Sequence, residues 1–562
     1  MDRSDIVIIG GVACGPKAGA VLARRRPDLK ITLFQKDELT SYATCGMPYY
    51  ASGDVNAIDD LVKTSYGVPR DAEFFRATKG FTVVTGAEVT GIQRDKKYVM
   101  VKNVKTGETV EHGYDKLVIA VGARPNIPPF PVPDAPNVRP FTKPEDAIAF
   151  RTLAEQGKID HAVVIGGGLV GCEAAEAAGG LWGIKVTLIE KEPQVLPWVL
   201  DGEMAEIVHH ELARQKVDVI LGASVDKIEV NGEGHAIVKV AGRDPLTCDY
   251  VFLGLGVHPN NDLAGHCGLQ LGSTGAIAVN AHMQTSDPDI YAGGDCVESQ
   301  NIITGRPMYL PMGSLANRHG RVIAENIAGR AEEFNGVVGA FYVKVFDLNV
   351  GAVGLSWRAA EAAGVEAIEL WGSFVDRPDY YPESKSMTLK MLYAPSDGRL
   401  LGLQAVGTGD ICRRVDVFST FLSRGATVDD LLDFEAGYAP PYAEALDPLH
   451  HLAAMAQAQR RGLRFLGPGT DFSQDDRRLQ IVDIREVDEA QAVPGNLKGC
   501  RSTDTINIPL GELRARLGEL NKELPTIVVC RRGPRSYQGA LILKAARFSD
   551  VSVFAGGLQS QE

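Results

Sequence analysis

One pattern constrains this chain more than any other: a strand, a glycine turn and a helix, occurring twice. Residues 5–9, Asp-Ile-Val-Ile-Ile, read as a buried parallel strand. Gly10, Gly11 and Gly15 follow, then a small-residue helix through Ala18, Gly19 and Ala20, and a second strand at 31–35. The pattern returns with the strand 161–165, the turn Gly166-Gly-Gly168-Leu169-Val170-Gly171, a helix and the strand 185–190. Such a unit joins two parallel strands and turns the free N–H groups of a helix start toward an anion. The expected fold class is therefore α/β, with two Rossmann-like dinucleotide-binding domains.

The second turn is a full G-x-G-x-x-G. Gly166, Gly168 and Gly171 permit a tight turn and close approach of a pyrophosphate. Leu169, Val170 and Glu173 open the helix behind it, and Glu190 ends the next strand. A carboxylate there accepts from a ribose 2′-OH and repels a 2′-phosphate, which favours NADH over NADPH, a preference that Lys191 weakens. The first turn is poorer: Val12 stands at the middle glycine position, and Gln35, followed by Lys36, replaces the acid. Later segments restore the case. Residues 117–125 and 251–259 are strand-to-glycine crossings carrying Gly122, Ala123 and Gly256, and residues 290–295 form a strand ending in Gly294-Asp295. Asp295 can accept from a ribityl or ribose hydroxyl. Gly10, Gly11, Val12, Ala13, Gly15, Gln35, Lys36, Gly122, Ala123, Gly294 and Asp295 are the expected FAD site. Gly166, Gly168, Leu169, Val170, Gly171, Glu173, Glu190 and Gly256 are the expected nicotinamide cofactor site.

Composition bounds the rest. The 562 residues call for about three to five domains. A net charge of −13, from 58 basic and 71 acidic residues, argues against nucleic acid as a partner. No run of about 18 uncharged apolar residues suggests a membrane span, and no signal-peptide pattern is visible. The nine cysteines are odd in number and scattered, with no CxxC pair, so neither a disulfide framework nor a metal site is expected. The expected location is cytoplasmic.

Two cysteines have distinctive settings. Cys45 lies in Ser41-Tyr-Ala-Thr44-Cys45-Gly-Met-Pro-Tyr-Tyr50, with Tyr50 where a second redox cysteine would stand. It cannot close a local disulfide, so it would pair with a small thiol or cycle through a sulfenate or persulfide. Cys530 ends a strand and opens Arg531-Arg-Gly-Pro534-Arg535-Ser536 and a helix. Successive N–H groups and arginines in such a loop favour a thiolate or persulfide anion, although Pro534 removes one donor. Cys14, Cys172, Cys248, Cys267, Cys296, Cys412 and Cys500 read as structural.

These residues carry a resemblance. Residues 1–450 resemble the coenzyme A-disulfide reductases, single-cysteine members of the FAD- and NAD(P)-dependent pyridine nucleotide–disulfide oxidoreductases. The match rests on the first glycine turn, Ser41-x-x-x-Cys45-x-x-Pro48-Tyr49, the Gly166 turn, Gly294-Asp295, Tyr380-Tyr381-Pro382 and Tyr438-Ala-Pro-Pro-Tyr442. Residues 476–562 resemble a rhodanese domain through Asp483-Ile-Arg485-Glu, Ile506-Asn-Ile-Pro509 and Cys530-x-x-Gly-x-Arg535-Ser536. The resemblance implies an FAD-binding domain at 1–112 and 281–330, with a continuation and crossover at 113–155. It further implies an NAD(P) domain at 156–280, an α+β dimerisation domain at 331–450, a linker at 451–475 and a C-terminal rhodanese-like α/β domain at 476–562.

The same resemblance implies an enzyme, an NADH- or NADPH-dependent reductase of coenzyme A disulfide, coenzyme A persulfide or polysulfide. Cys45, Cys530 and Arg535 would act in it, with Tyr438 and one of Tyr380 and Tyr381 supplied across a homodimer. Arg24, Ser41, Thr44 and Lys79 would hold coenzyme A. Two other functions fit the same residues: an NADH oxidase or peroxidase, and a flavin-containing sulfur or redox sensor.

Overall fold

A computed structural model describes residues 2–472, 478–493, 495, 497, 500 and 505–561. The chain divides into two compact units, residues 1–193 with 215–337, and residues 194–214 with 338–562.

In the first unit, five short parallel strands form the first nucleotide-binding sheet, in the order Ile290–Ala292, Lys116–Ile119, Ile6–Ile9, Ile31–Phe34, Thr82–Val84. The central strand Ile6–Ile9 is apolar throughout and buried on every residue, as a parallel strand covered on both faces must be. The helix Cys14–Arg25 packs against Gly313–Ile327 at the closest range small residues allow. A Cβ at Gly320 would lie 2.5 Å from the Cys14 carbonyl oxygen. The second parallel sheet runs Val138–Pro140, Tyr250–Leu253, His161–Ile165, Lys185–Ile189, Asp218–Ile220.

The boundaries expected between these two domains shift. Val138–Pro140, assigned to the crossover at 113–155, is an edge strand of the second sheet. Ala264, Leu269 and Ile277, assigned to the second domain, are buried in the core of the first. Residues 194–214 leave the nucleotide-binding unit altogether. Their helix Gly202–Arg214 belongs to the second unit, where Asp201 lies 3.0 Å from the buried Lys390 ammonium.

Among the described residues, the second unit holds two sheets. One is antiparallel, in the order Phe341–Val345, Leu348–Gly354, Leu400–Gly407, Ser386–Tyr393, Ile368–Val375. The other is parallel, in the order Arg464–Leu466, Val551–Phe554, Thr526–Val529, Gln480–Asp483, Thr505–Asn507. The expected linker at 451–475 is not a linker over its described part. The helix Pro448–Arg460 runs through it, burying Leu452, Ala453, Met455 and Ala456, and Arg464–Leu466 then pairs with Ser552–Phe554. Gly467-Pro468-Gly469 does make a turn, but after that strand rather than before it. The domain start at 476 lies outside the described residues. No helix among those described is long and apolar enough to cross a membrane.

Candidate active site

The first glycine turn is shaped by backbone contact. Gly10 has φ +104°, and a Cβ there would lie 2.1 Å from the Ala120 carbonyl oxygen. At Gly15 a Cβ would meet the Gly10 carbonyl oxygen at 2.0 Å. Gln35 is no mere substitute for an acid. It is buried, and its Oε1 accepts from Gly11 N at 2.8 Å, bracing the turn. The second glycine turn repeats the device with a charge: Glu190 Oε2 accepts from Gly167 N at 2.5 Å and Oε1 from Glu192 N at 2.9 Å. Gly166 has φ +104°, and no atom lies within 4 Å of a Cβ built on Gly168, so the space above that turn is open. Lys36 is turned onto Glu88 at 2.7 Å, away from any role in the turn.

At the far end of the first sheet Gly294, with φ +80°, donates its N–H to His319 Nδ1 at 3.2 Å. His319 escaped the sequence reading. Burial pushes its ring down to about 4, so the imidazole is neutral at physiological pH and free to accept. Its only signal was a position on the apolar face of Gly313–Ile327, which also reads as core. The Asp295 carboxyl is raised by desolvation, against a hydrogen bond from Met312 N. His319 Nε2 and the Tyr309 hydroxyl are buried without a partner. A glycine cradle, a desolvated carboxyl and orphaned polar atoms around it are what a polar cofactor such as FAD would satisfy.

Cys45 sits on the 3₁₀ turn Thr44–Gly46 and is exposed, with Thr44 Oγ1 4.0 Å from its sulfur. Ser41, at φ +50°, donates its N–H to the Gly11 carbonyl at 2.7 Å, which ties this segment to the first glycine turn. The Tyr49 phenol is raised by desolvation, then by Glu173, Glu176 and Cys45, so it stands among the residues of both motifs. Glu173 is itself pushed up to about 7 by desolvation and by Glu176. Of the expected coenzyme A ligands, Arg24 is exposed at a helix end, and the Lys79 ammonium lies 5.0 Å over the Phe74 ring.

Of the seven cysteines read as structural, Cys267, Cys412 and Cys500 are half-buried. Cys14, Cys172, Cys248 and Cys296 are buried, and desolvation raises each thiol. Cys530 is buried too but differs in its partners. Its sulfur accepts from Gly533 N at 3.1 Å and Ser536 N at 3.3 Å. Pro534 occupies the first position of the helix Pro534–Ala545, where an N–H has no helical acceptor, so its loss is mild. Arg535 lies between two anionic partners: Glu489 raises its guanidinium first, and the Cys530 sulfur adds to that rise. Glu489 holds it bidentately at 2.7 and 2.9 Å. Asp483 and Arg485 stand behind that pair, a buried ion pair at 2.7 Å whose guanidinium also donates to the Glu489 carbonyl at 3.4 Å.

The two tyrosine segments lie in the second unit. Tyr380 and Tyr438 are both exposed, and the Tyr380 phenol is raised by desolvation and by Tyr438 beside it. Arg414, fully buried, ties both segments at their base. It donates to the Asp447 carboxylate at 3.0 Å and to the Asp376 carbonyl at 3.1 Å.

An exposed thiol beside a nucleotide cradle and a second sulfur held by amide N–H groups suit a flavin- and nicotinamide-dependent enzyme of sulfur. Residues 4–314 match the pyridine nucleotide-disulphide oxidoreductase family, residues 340–450 its dimerisation domain, and residues 472–561 the rhodanese-like domain. The chain belongs to the pyridine nucleotide-disulphide oxidoreductases and is an oxidoreductase that uses FAD and NAD(P)H. It is 35% identical over 451 residues to the NAD(P)H sulfur oxidoreductase (CoA-dependent) of Pyrococcus abyssi, covering 80% of this chain and 98% of the other. Its structure is similar to that of a NAD-dependent persulfide reductase from A. fulgidus. The TM-score is 0.91 at 36% identity, over 99% of this chain and 100% of the other. It is also similar to reduced CoADR-RHD of Bacillus anthracis, with a TM-score of 0.91 at 31% identity, over 100% and 98%.

Proposed function

We propose that this chain is an NAD(P)H-dependent reductase of persulfides, polysulfides and coenzyme A disulfide, acting as a homodimer through the single thiol of Cys45. The observation that carries the sulfur assignment is the setting of Cys530. A buried thiol that receives two backbone N–H groups suits a persulfide anion, and an oxidase or peroxidase has no use for one. The Cys45 thiolate attacks one sulfur of a disulfide, the S–S bond breaks, and one half leaves as a thiolate. The other half stays on Cys45 as a mixed disulfide, since no cysteine stands close by in sequence to close an internal one. Two electrons from NAD(P)H, for which FAD would supply the relay when bound, break that mixed disulfide, release its second half as a thiolate and return Cys45 to the thiolate. The phenols of the partner subunit's Tyr438 and of Tyr380 or Tyr381 give the leaving thiolate its proton. Arg24 and Lys79, with Ser41 and Thr44, suit the phosphates and the pantetheine end of coenzyme A.

The test is anaerobic NADH consumption with coenzyme A persulfide, polysulfide, coenzyme A disulfide and hydrogen peroxide in turn. The three sulfur acceptors should outpace peroxide, and Cys45→Ser should lose turnover with all of them. Full turnover in Cys45→Ser would sink the mechanism.

A further inference from the structure

The loop that carries Cys530 is bound to the segment that carries the tyrosines. Arg532, two residues after Cys530, donates through both terminal nitrogens to the Asp379 carboxylate, each at 3.0 Å. Its backbone carbonyl accepts from Ser373 N at 3.1 Å. Asp379 immediately precedes Tyr380 and Tyr381. A polar cavity of about 350 Å³ lies at this seam, lined by Tyr380, Tyr381, Ser384, Arg531, Arg532 and Gln559. The carboxyl of Asp379 is held below its ordinary range, first by the hydrogen bonds from Arg532. The body of the domain is anchored elsewhere: Leu463 is buried in its core with Ala458 packed against it. The Arg532–Asp379 pair therefore sits on the reactive edge and is not what attaches the domain.

We propose that Asp379 is a positioning residue for sulfur hand-over, fixing the setting of the Cys530 loop against the tyrosine segment. The inference rests on Cys530 carrying sulfane sulfur. Its thiolate takes the terminal sulfur of a polysulfide, and the shortened polysulfide leaves with the bonding pair. An acceptor thiolate of a small molecule then attacks that outer sulfur. The new S–S bond forms on the acceptor, and the electron pair of the broken bond returns to Cys530. The sulfur of Cys530 is almost wholly buried, so the direction in which its outer sulfur emerges depends on how residues 531–536 are set. A bidentate arginine–carboxylate pair sets orientation as well as distance.

The experiment uses the full-length holoenzyme and three readouts: Cys530 persulfidation by polysulfide (mass spectrometry), direct reduction of a small persulfide, and NADH consumption driven by polysulfide through Cys530. Asp379→Asn should leave the first two within twofold and slow the third about five- to tenfold, with partial rescue in Asp379→Glu. Arg532→Gln should act alike, and the double variant should be no slower than either single one. Equal slowing of all three readouts, additive losses, or a third readout within twofold of the parent would overturn the proposal. Cys530→Ser separates it from the reading beneath: if that variant keeps full polysulfide throughput, Cys530 does not deliver sulfur at all. If it loses throughput while Asp379→Asn does not, only the role of Asp379 falls.

Discussion

Glu173 shows how much a single side chain can conceal. It follows the G-x-G-x-x-G turn, where sequence assigns it to the nicotinamide cofactor, yet desolvation and Glu176 push its carboxyl up from 4.5 to about 7. The folded protein therefore keeps a proton there that the unfolded chain releases between those values. That contribution to stability is present below about pH 4.5 and lost as pH rises through 7. Thermal denaturation of the holoenzyme at pH 5 and pH 8 should show the fall, and Glu173→Gln should remove that part of it. An unchanged pH profile in the variant would contradict the assignment. Gln35 and Glu190 teach a related lesson. Their place at the strand end was legible because the motif spacing is local. Their use as braces for Gly11 and Gly167 was not, because sequence gives no direction for a side chain. His319 was illegible for a third reason: its partner, Gly294, is 25 residues away, and a histidine on an apolar helix face looks like core.

Among elements, the helix Ile411–Leu422 does more than cover a sheet. Arg413 donates to the carbonyl of Gly437 at 2.9 Å, and Arg414 to Asp447 and Asp376, so one helix start holds the bases of both tyrosine segments. Arg414→Met would strand the buried Asp447 carboxylate, which also caps the helix Pro448–Arg460. Breaking a buried pair from one side costs about 3–5 kcal/mol. Denaturant unfolding should show the loss, together with slower sulfur reduction and unchanged reduction of the bound flavin by NADH. A variant as stable as the parent would show that the pair contributes little. The tyrosines were legible only through the family resemblance, and an arginine inside an ordinary amphipathic helix carried no mark of its partners 33 and 38 residues away.

At the scale of the molecule, Tyr438, Tyr442 and Leu446 are exposed within nine residues of one another, on the domain matched as a dimerisation domain. Scattered apolar residues at a surface are ordinary, but a cluster beside the proposed active-site tyrosines is the surface a second copy would cover. Leu446→Asp should weaken the proposed homodimer. Losing one buried leucine per subunit removes about 1.5–3 kcal/mol each, so the dissociation constant should rise at least about tenfold in sedimentation velocity. No change would place the dimer contact elsewhere. The α/β class and both nucleotide-binding sheets were legible from glycine spacing and apolar runs. The seams were not, because Val138–Pro140 and Arg464–Leu466 find partners more than 80 residues away.

That last strand bears on how such a protein was assembled. Arg464–Leu466 is the edge of the C-terminal sheet, and Leu463 before it is part of that sheet's core. The helix Pro448–Arg460, in turn, packs against the helix Val428–Asp433 and the strand Ile368–Val375 of the dimerisation domain. Between them run only residues 461–463. Cut at 476, the rhodanese-like piece would leave Val551–Phe554 as a bare edge, open to pairing with another chain. The two modules therefore share a seam of structure, not a tether, and neither was left a free end on which to swing.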